Sequence, residues 1–100
     1  METEKLEFVT LDDFKQELIE QDPTFADRLT VHKLQQAMVR QLKADRIAKK
    51  LSQQDIAQRT GIKTQNISRI ERGLVIPKTD TLIRYAQALG GSFQYIPNNV

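Results

Sequence analysis

The stretch Lys63-Thr64-Gln65-Asn66-Ile67-Ser68-Arg69 concentrates side chains that form hydrogen bonds, and none of them is acidic. A merely solvated helix would usually mix in Glu or Asp. An acid-free face of Lys, Thr, Gln, Asn, Ser and Arg meets phosphate oxygens and base edges without like-charge repulsion. Other chemistries find little footing. The chain has no cysteine, so it holds neither a disulfide framework nor a thiolate metal site. His32 is the single histidine, set among Thr30, Val31 and Lys33, and reads as a surface or packing residue rather than a general base. Nucleophile sets, a phosphate-cradling glycine loop and carboxylates at metal-ligand spacing are all missing. Asp12 and Asp13 are neighbours on a helix, so their side chains diverge. No enzyme activity, metal or cofactor is expected.

The elements around that stretch follow from spacing. Ser52 caps a helix to Thr60, with Asp55 in the capping-box position and Ile56-Ala57 as core. Gly61 permits the left-handed turn that ends it. Lys63 cannot accept a bond from helix amides, so the next helix is expected at Thr64 and runs to Arg72, with Gly73 beyond. Its Ile67 and Ile70 point inward, with Ile62 beside them. Small Ala57 allows close approach, and the pair reads as a helix-turn-helix. Upstream, the pattern is helical from Thr30 to about Leu51. Val31, Leu34, Met38 and Leu42 form its stripe, which Ala37, Ala44, Ile47, Ala48 and Leu51 broaden. Arg40, Lys43, Arg46, Lys49 and Lys50 make its end basic, a placement that complements the helix dipole. Leu74-Val75-Ile76-Pro77 is a loop. Thr79 to Leu89 is a further helix with Leu82, Ile83, Ala86 and Leu89 apolar, stopped by Gly90-Gly91.

The net charge of +2 conceals a split. Residues 1–30 hold nine acids and three bases, whereas residues 31–100 hold four acids and twelve bases. A basic body suits a polyanion such as nucleic acid. An acidic arm either screens that body, meets a second and basic partner, or is simply a solvated helix. METEKLEFVT at the start is acidic and polar where a signal peptide is basic and then apolar. With no apolar run of membrane-spanning length, a cytoplasmic protein with no membrane contact is expected.

Leu51-Ser-Gln-Gln-Asp-Ile-Ala-Gln-Arg-Thr-Gly-Ile-Lys-Thr-Gln-Asn-Ile-Ser-Arg-Ile-Glu-Arg-Gly73 resembles the phage-repressor (Cro/XRE) helix-turn-helix family. The likeness continues through Pro77, Thr81-Leu82 and Ala86-Gln87-Ala88-Leu89-Gly90, covering roughly residues 35–92. It implies a five-helix DNA-binding domain that grips operator DNA as a homodimer, its second motif helix in the major groove. By position, Thr64, Gln65 and Arg69 match base-reading sites, flanked by Lys63 and Asn66. Gln53 is similar to the family's phosphate-gripping glutamine. Arg72 and the amides around Gly73 match a phosphate-contacting loop, and Lys50 and Ser68 join the backbone contacts. Arg46 and Glu71 match a bracing basic–acidic pair, with phosphate contact by Arg46 as its second role. The family's loop after Gly73 is polar, whereas Leu74, Val75 and Ile76 are apolar, as a dimer contact or as core.

The flanks carry a looser resemblance. Phe8-Val9-Thr10-Leu11-Asp12-Asp13-Phe14, then Asp22-Pro23-Thr24-Phe25, then a long helix, looks like the HigA-type antitoxins of bacterial toxin–antitoxin pairs. This implies autorepression and capture of a basic RelE/HigB-like ribonuclease toxin, for which an acidic arm is the right counterpart. Phe8, Leu11, Phe14, Leu18 and Phe25 are then apolar anchors, or pack the arm on the body. Thr10 reads as a helix cap with Asp13 as its box partner, and Asp22-Pro23 as the break before another helix. A stand-alone repressor without toxin and a non-DNA-binding adaptor are the other readings. Phe93-Gln94-Tyr95-Ile96 alternates like a strand that pairs with Leu6–Val9, a second copy or a toxin sheet, which makes Phe93 and Tyr95 dimer candidates. The expected architecture is all-α: an acidic helical extension over 1–30, a five-helix phage-repressor-like helix-turn-helix domain over 31–92, and a C-terminal strand and tail over 93–100.

Overall fold

A computed structural model describes residues 11–98. Five helices and no strand occur among them: α1 (Leu11–Gln21), α2 (Phe25–Ala48), α3 (Gln53–Thr60), α4 (Thr64–Glu71) and α5 (Thr79–Ala88). One helix therefore belongs to the extension and four follow from Phe25 onward. The chain divides into two compact units inside α2, one ending at Leu34 and the other starting at Gln35. The expected cap at Thr10 lies outside the described residues.

In the first unit, Asp22 organises the break between helices. Its carboxylate accepts from the Thr24 amide at 3.0 Å and the Thr24 hydroxyl at 2.8 Å, and it pairs with Arg28. These bonds, those from Thr24 first, hold the Asp22 carboxyl below its usual pKa. From Phe25 the helix is continuous, so the start placed at Thr30 by sequence is corrected. Thr30 lies inside the helix, where its hydroxyl bonds back to the Ala26 carbonyl at 2.9 Å, one turn earlier.

The second unit closes around Val39, Leu42, Ile56, Ile67, Ile70, Leu82, Tyr85, Ala86 and Leu89. Val39, Leu42 and Arg46 form the inward stripe of α2, at i, i+3 and i+7. That stripe is rotated from the expected one. Val31 and Leu34 are 56% and 61% exposed, and Ile47 also faces out. Val31 and Leu34 belong to the first unit, whose described side chains are nowhere fully buried. Of the apolar residues of α5, Ile83 is exposed, and Tyr85 is buried beside Leu82, Ala86 and Leu89. Helix α3 packs against both α4 and α5. Two cations hold the end of α5: Lys49 Nζ donates to the Leu89 carbonyl at 2.6 Å, and Arg59 Nη1 to that of Ala88 at 2.8 Å. Cations at helix C-termini complement the dipole there.

The strand expected at Phe93–Ile96 does not form. Residues 91–98 carry no regular structure, and no strand lies beside them among the described residues. Alternation alone leaves backbone groups unsatisfied unless a partner strand pairs with them. The expected intrachain partner, Leu6–Val9, lies outside the described residues.

Candidate nucleic-acid interface

An eight-residue helix is marginal on its own, so packing must fix the direction of α4. Ile67 and Ile70 do so, at 0% and 5% exposure. Full burial of one such side chain contributes about 1.5–3 kcal/mol. The helix that precedes α4 and the turn that ends it are set by local chemistry. The Ser52 hydroxyl accepts from the Asp55 amide at 3.0 Å, while the Asp55 carboxylate accepts from the Ser52 amide at 2.8 Å. The bond from the Ser52 amide, then that involving its side chain, lowers the Asp55 pKa. Gly61 has φ +76°, and its N–H donates to the Ala57 carbonyl at 2.9 Å. That left-handed conformation suits glycine. Lys63 is extended and makes no side-chain cap bond, so α4 begins at Thr64 as its sequence required.

With Ile67 and Ile70 inward, the opposite side of α4 is solvent. Lys63, Thr64, Gln65, Asn66 and Arg69 are exposed, and Ser68 is half-buried. The C-terminal corner uses its own amides. Gly73, at φ +74°, donates to the Ile70 carbonyl at 3.0 Å, and Leu74 donates to that of Arg69 at 3.0 Å. The Gly73 N–H is therefore spent in the helix cap, and the exposed Arg72 side chain is what this corner offers to a phosphate. Lys50 is exposed, with φ +59° in the turn after α2.

Behind this face lies a buried polar cluster. Glu71 is 1% exposed at its side chain. Its Oε2 accepts from Arg46 Nε at 2.8 Å and Tyr85 Oη at 2.6 Å. Its Oε1 accepts from Arg46 Nη2 at 2.9 Å and Gln53 Nε2 at 3.1 Å. Arg46 Nη1 donates onward to the Leu51 carbonyl at 2.8 Å. Burial pulls the Glu71 carboxyl up, but the bonds from Arg46, Tyr85 and Gln53 outweigh it, and its pKa falls below the usual value. The Glu71 bond, against the opposing effect of burial, raises Arg46. Burial, then the Glu71 carboxylate, pushes the Tyr85 phenol far up. Arg46 is thus a brace, its guanidinium turned inward. Gln53 is half-buried at the first position of α3.

The charges sort accordingly. Each of the four acids from Gln35 onward is engaged. Asp45 pairs with Lys49 at 2.7 Å, Glu71 with Arg46, and Asp55 caps α3. Asp80 accepts from the Thr81 amide and lies 4.0 Å from Arg84. Lys50, Lys63, Arg69 and Arg72 enter no ion pair among the described residues. Cations on and beside α4 are thus among those left without an acidic partner, as are Arg40, Lys43, Arg59 and Lys78 elsewhere in the unit.

The remaining expected site residues are dispersed. Leu74, Val75 and Ile76 are 63%, 41% and 66% exposed, which removes the core-packing alternative. Phe93 and Tyr95 are exposed on the tail, where Phe93 lines a cleft with Leu42, Ala86 and Leu89. In the extension Phe14 is half-exposed and Phe25 half-buried. Phe8 and the side chains of Leu11 and Leu18 lie outside the described residues. Tyr85 and Val39 were not singled out by sequence. Tyr85 meets Glu71 across 14 positions, and no local spacing signals such a contact. Among the described residues, no helix is long and apolar enough to cross a membrane.

Comparison with known proteins agrees with this geometry. A profile described as helix-turn-helix matches residues 42–96. The chain is similar to an uncharacterized HTH-type transcriptional regulator, y4dL, of Sinorhizobium fredii (strain NBRC 101917 / NGR234), at 40% identity over 52 residues. That match covers 52% of this chain and 26% of the relative, so the chain spans about a quarter of the relative's length. No solved structure matches it. The family match takes in the whole of α3, its glycine turn and α4, and the chain belongs to the helix-turn-helix family of the phage-repressor (Cro/XRE) type.

Proposed function

We propose that the chain is a non-catalytic, sequence-specific DNA-binding repressor that acts as a homodimer on an inverted repeat, with α4 in the major groove. One observation carries the reading. The exposed side of α4 holds only hydrogen-bonding and cationic side chains, while every acid of the surrounding unit is already engaged. Thr64, Gln65 and Arg69 read base edges, and Lys63 and Asn66 flank them. Gln53, Lys50, Ser68 and Arg72 hold the sugar–phosphate backbone. The description of y4dL as a transcriptional regulator supports the same role. Exposed Leu74, Val75 and Ile76, with Phe93 and Tyr95, supply apolar surface for the second copy. Fluorescence anisotropy tests the reading with a duplex from upstream of the chain's own coding sequence and a shuffled duplex of equal length. Tighter binding to the upstream duplex at physiological salt is expected. Equal binding removes sequence specificity, and no binding of either duplex in dilute buffer removes the DNA role.

The charge split favours an extension of this reading. The nine acids of residues 1–30 complement a basic partner, and the arrangement around Phe8, Leu11, Phe14, Leu18 and Phe25 resembles HigA-type antitoxins. We infer capture of a RelE/HigB-like toxin by this arm, with the stand-alone repressor as the alternative. A small basic ribonuclease-like reading frame beside the gene supports the antitoxin, and its absence supports the repressor.

A further inference from the structure

Gln53 is matched to a phosphate contact, yet its amide is already in use. Nε2 donates to Glu71 Oε1 at 3.1 Å. Glu71 is buried, ionised below the usual glutamate range, and therefore only an acceptor. Only the nitrogen end of the Gln53 amide can face it, which removes the usual ambiguity of amide orientation. One Nε2 hydrogen is spent on Glu71, and a second remains. Tyr85 lies on the far side of the same carboxylate. It is 1% exposed on α5, and its hydroxyl donates to Oε2 at 2.6 Å. Arg46 supplies one donor to each oxygen, at 2.8 and 2.9 Å. The four donors divide evenly, with Arg46 and Tyr85 on Oε2 and Arg46 and Gln53 on Oε1.

We infer that Tyr85 is a positioning residue for backbone binding: by occupying Glu71 Oε2 it keeps Oε1 for Gln53, and so presents the second Gln53 Nε2 hydrogen to a phosphate oxygen. The inference rests on the proposed DNA role. Tyr85 itself is too buried to touch DNA. Without its hydroxyl, Oε2 keeps only the bond from Arg46 Nε and loses its second donor in a buried site, which is costly. Arg46 is fixed by its bond to the Leu51 carbonyl, so the donor able to move is the half-buried Gln53. An amide drawn inward toward Oε2 leaves the surface where a phosphate would sit.

A double-mutant cycle in the full chain tests this, with the upstream duplex as probe, at a temperature where circular dichroism shows all four chains folded. Gln53→Ala is expected to weaken binding about tenfold, the scale of one hydrogen bond to a charged group. Tyr85→Phe is expected to weaken it about three- to fivefold with Gln53 present and less than about twofold in the Gln53→Ala background, the non-additivity of coupled sites. The salt dependence should stay unchanged in both, because a neutral amide releases no counterion. Equal losses from Tyr85→Phe in both backgrounds, or none with Gln53 present, overturn the inference. A second readout uses the wild type without DNA. In its side-chain amide NMR spectrum, one Gln53 Nε2 proton should be downfield and protected from exchange. Two free-glutamine-like signals would overturn the inference. If the wild type binds neither upstream nor shuffled duplex, the DNA role fails, while the amide spectrum still reports on the network.

Discussion

Replacing Glu71 with glutamine keeps the side chain's volume and removes its charge. The Arg46 guanidinium then stays buried with its Nε and Nη2 donors facing a neutral amide instead of a carboxylate. Breaking a buried ion pair by removing one partner costs about 3–5 kcal/mol. Because the carbonyl oxygen of the introduced amide still accepts one bond from Arg46, the lower end, about 3 kcal/mol, is expected. A unit of this size holds only about 3–10 kcal/mol in all, at the usual per-residue stability. The loss is therefore large, and urea unfolding at neutral pH reads it as a lower midpoint with the slope unchanged. Replacing both partners, Arg46→Met with Glu71→Leu, should recover part of the loss, since no unpaired charge is then buried. The pH dependence gives an independent check. The folded pKa of Glu71 is lowered, so its contribution is complete above the unfolded value of about 4.3 and is lost as pH falls through the folded value. Wild-type stability should fall across that acid window, and Glu71→Gln should lack this component. A loss below about 1 kcal/mol, the scale of a surface pair, would refute the argument that this cluster braces α2 against α4.

Three further outcomes are expected. Arg69→Ala should cost about 1–3 kcal/mol on the cognate duplex and relax preference at one base position, as selection on mixed-base duplexes would show; unchanged affinity would remove Arg69 from the reading set. Lys50→Ala or Arg72→Ala should weaken upstream and shuffled duplexes alike and lower the slope of log affinity against log salt by about one, since each releases a phosphate's counterion; a loss confined to one base position would contradict a backbone role. Deleting residues 1–29 should weaken capture of a co-expressed basic toxin in pull-down while leaving operator binding largely intact, and undiminished capture would make the arm structural only.

Features set by neighbours in the chain were legible in the sequence. The Ser52–Asp55 capping box, the left-handed turn at Gly61 and the uncapped start at Thr64 each involve residues at most four apart. The inward Ile67 and Ile70 followed from helical spacing, and so did the exposure of their neighbours. Periodicity was less decisive on α2. Several apolar stripes compete there, and only packing chooses the one through Val39 and Leu42. The alternation at Phe93–Ile96 describes side chains and says nothing of whether a partner strand exists. The cluster around Glu71 joins α2, α3, α4 and α5 through side chains 14 to 25 positions apart. Its Arg46–Glu71 pair was visible only through family resemblance, and Tyr85 had no signal in spacing, composition or charge.

The most direct test of the major-groove reading is methylation interference on the upstream duplex. Guanine methylation places its mark at N7 in the major groove, and adenine methylation at N3 in the minor groove. If the exposed side of α4 lies where the account puts it, methylated guanines in two symmetric half-sites block binding, and Arg69→Ala abolishes the effect at one guanine of each. Interference from adenine N3 alone, or from neither base, would contradict it.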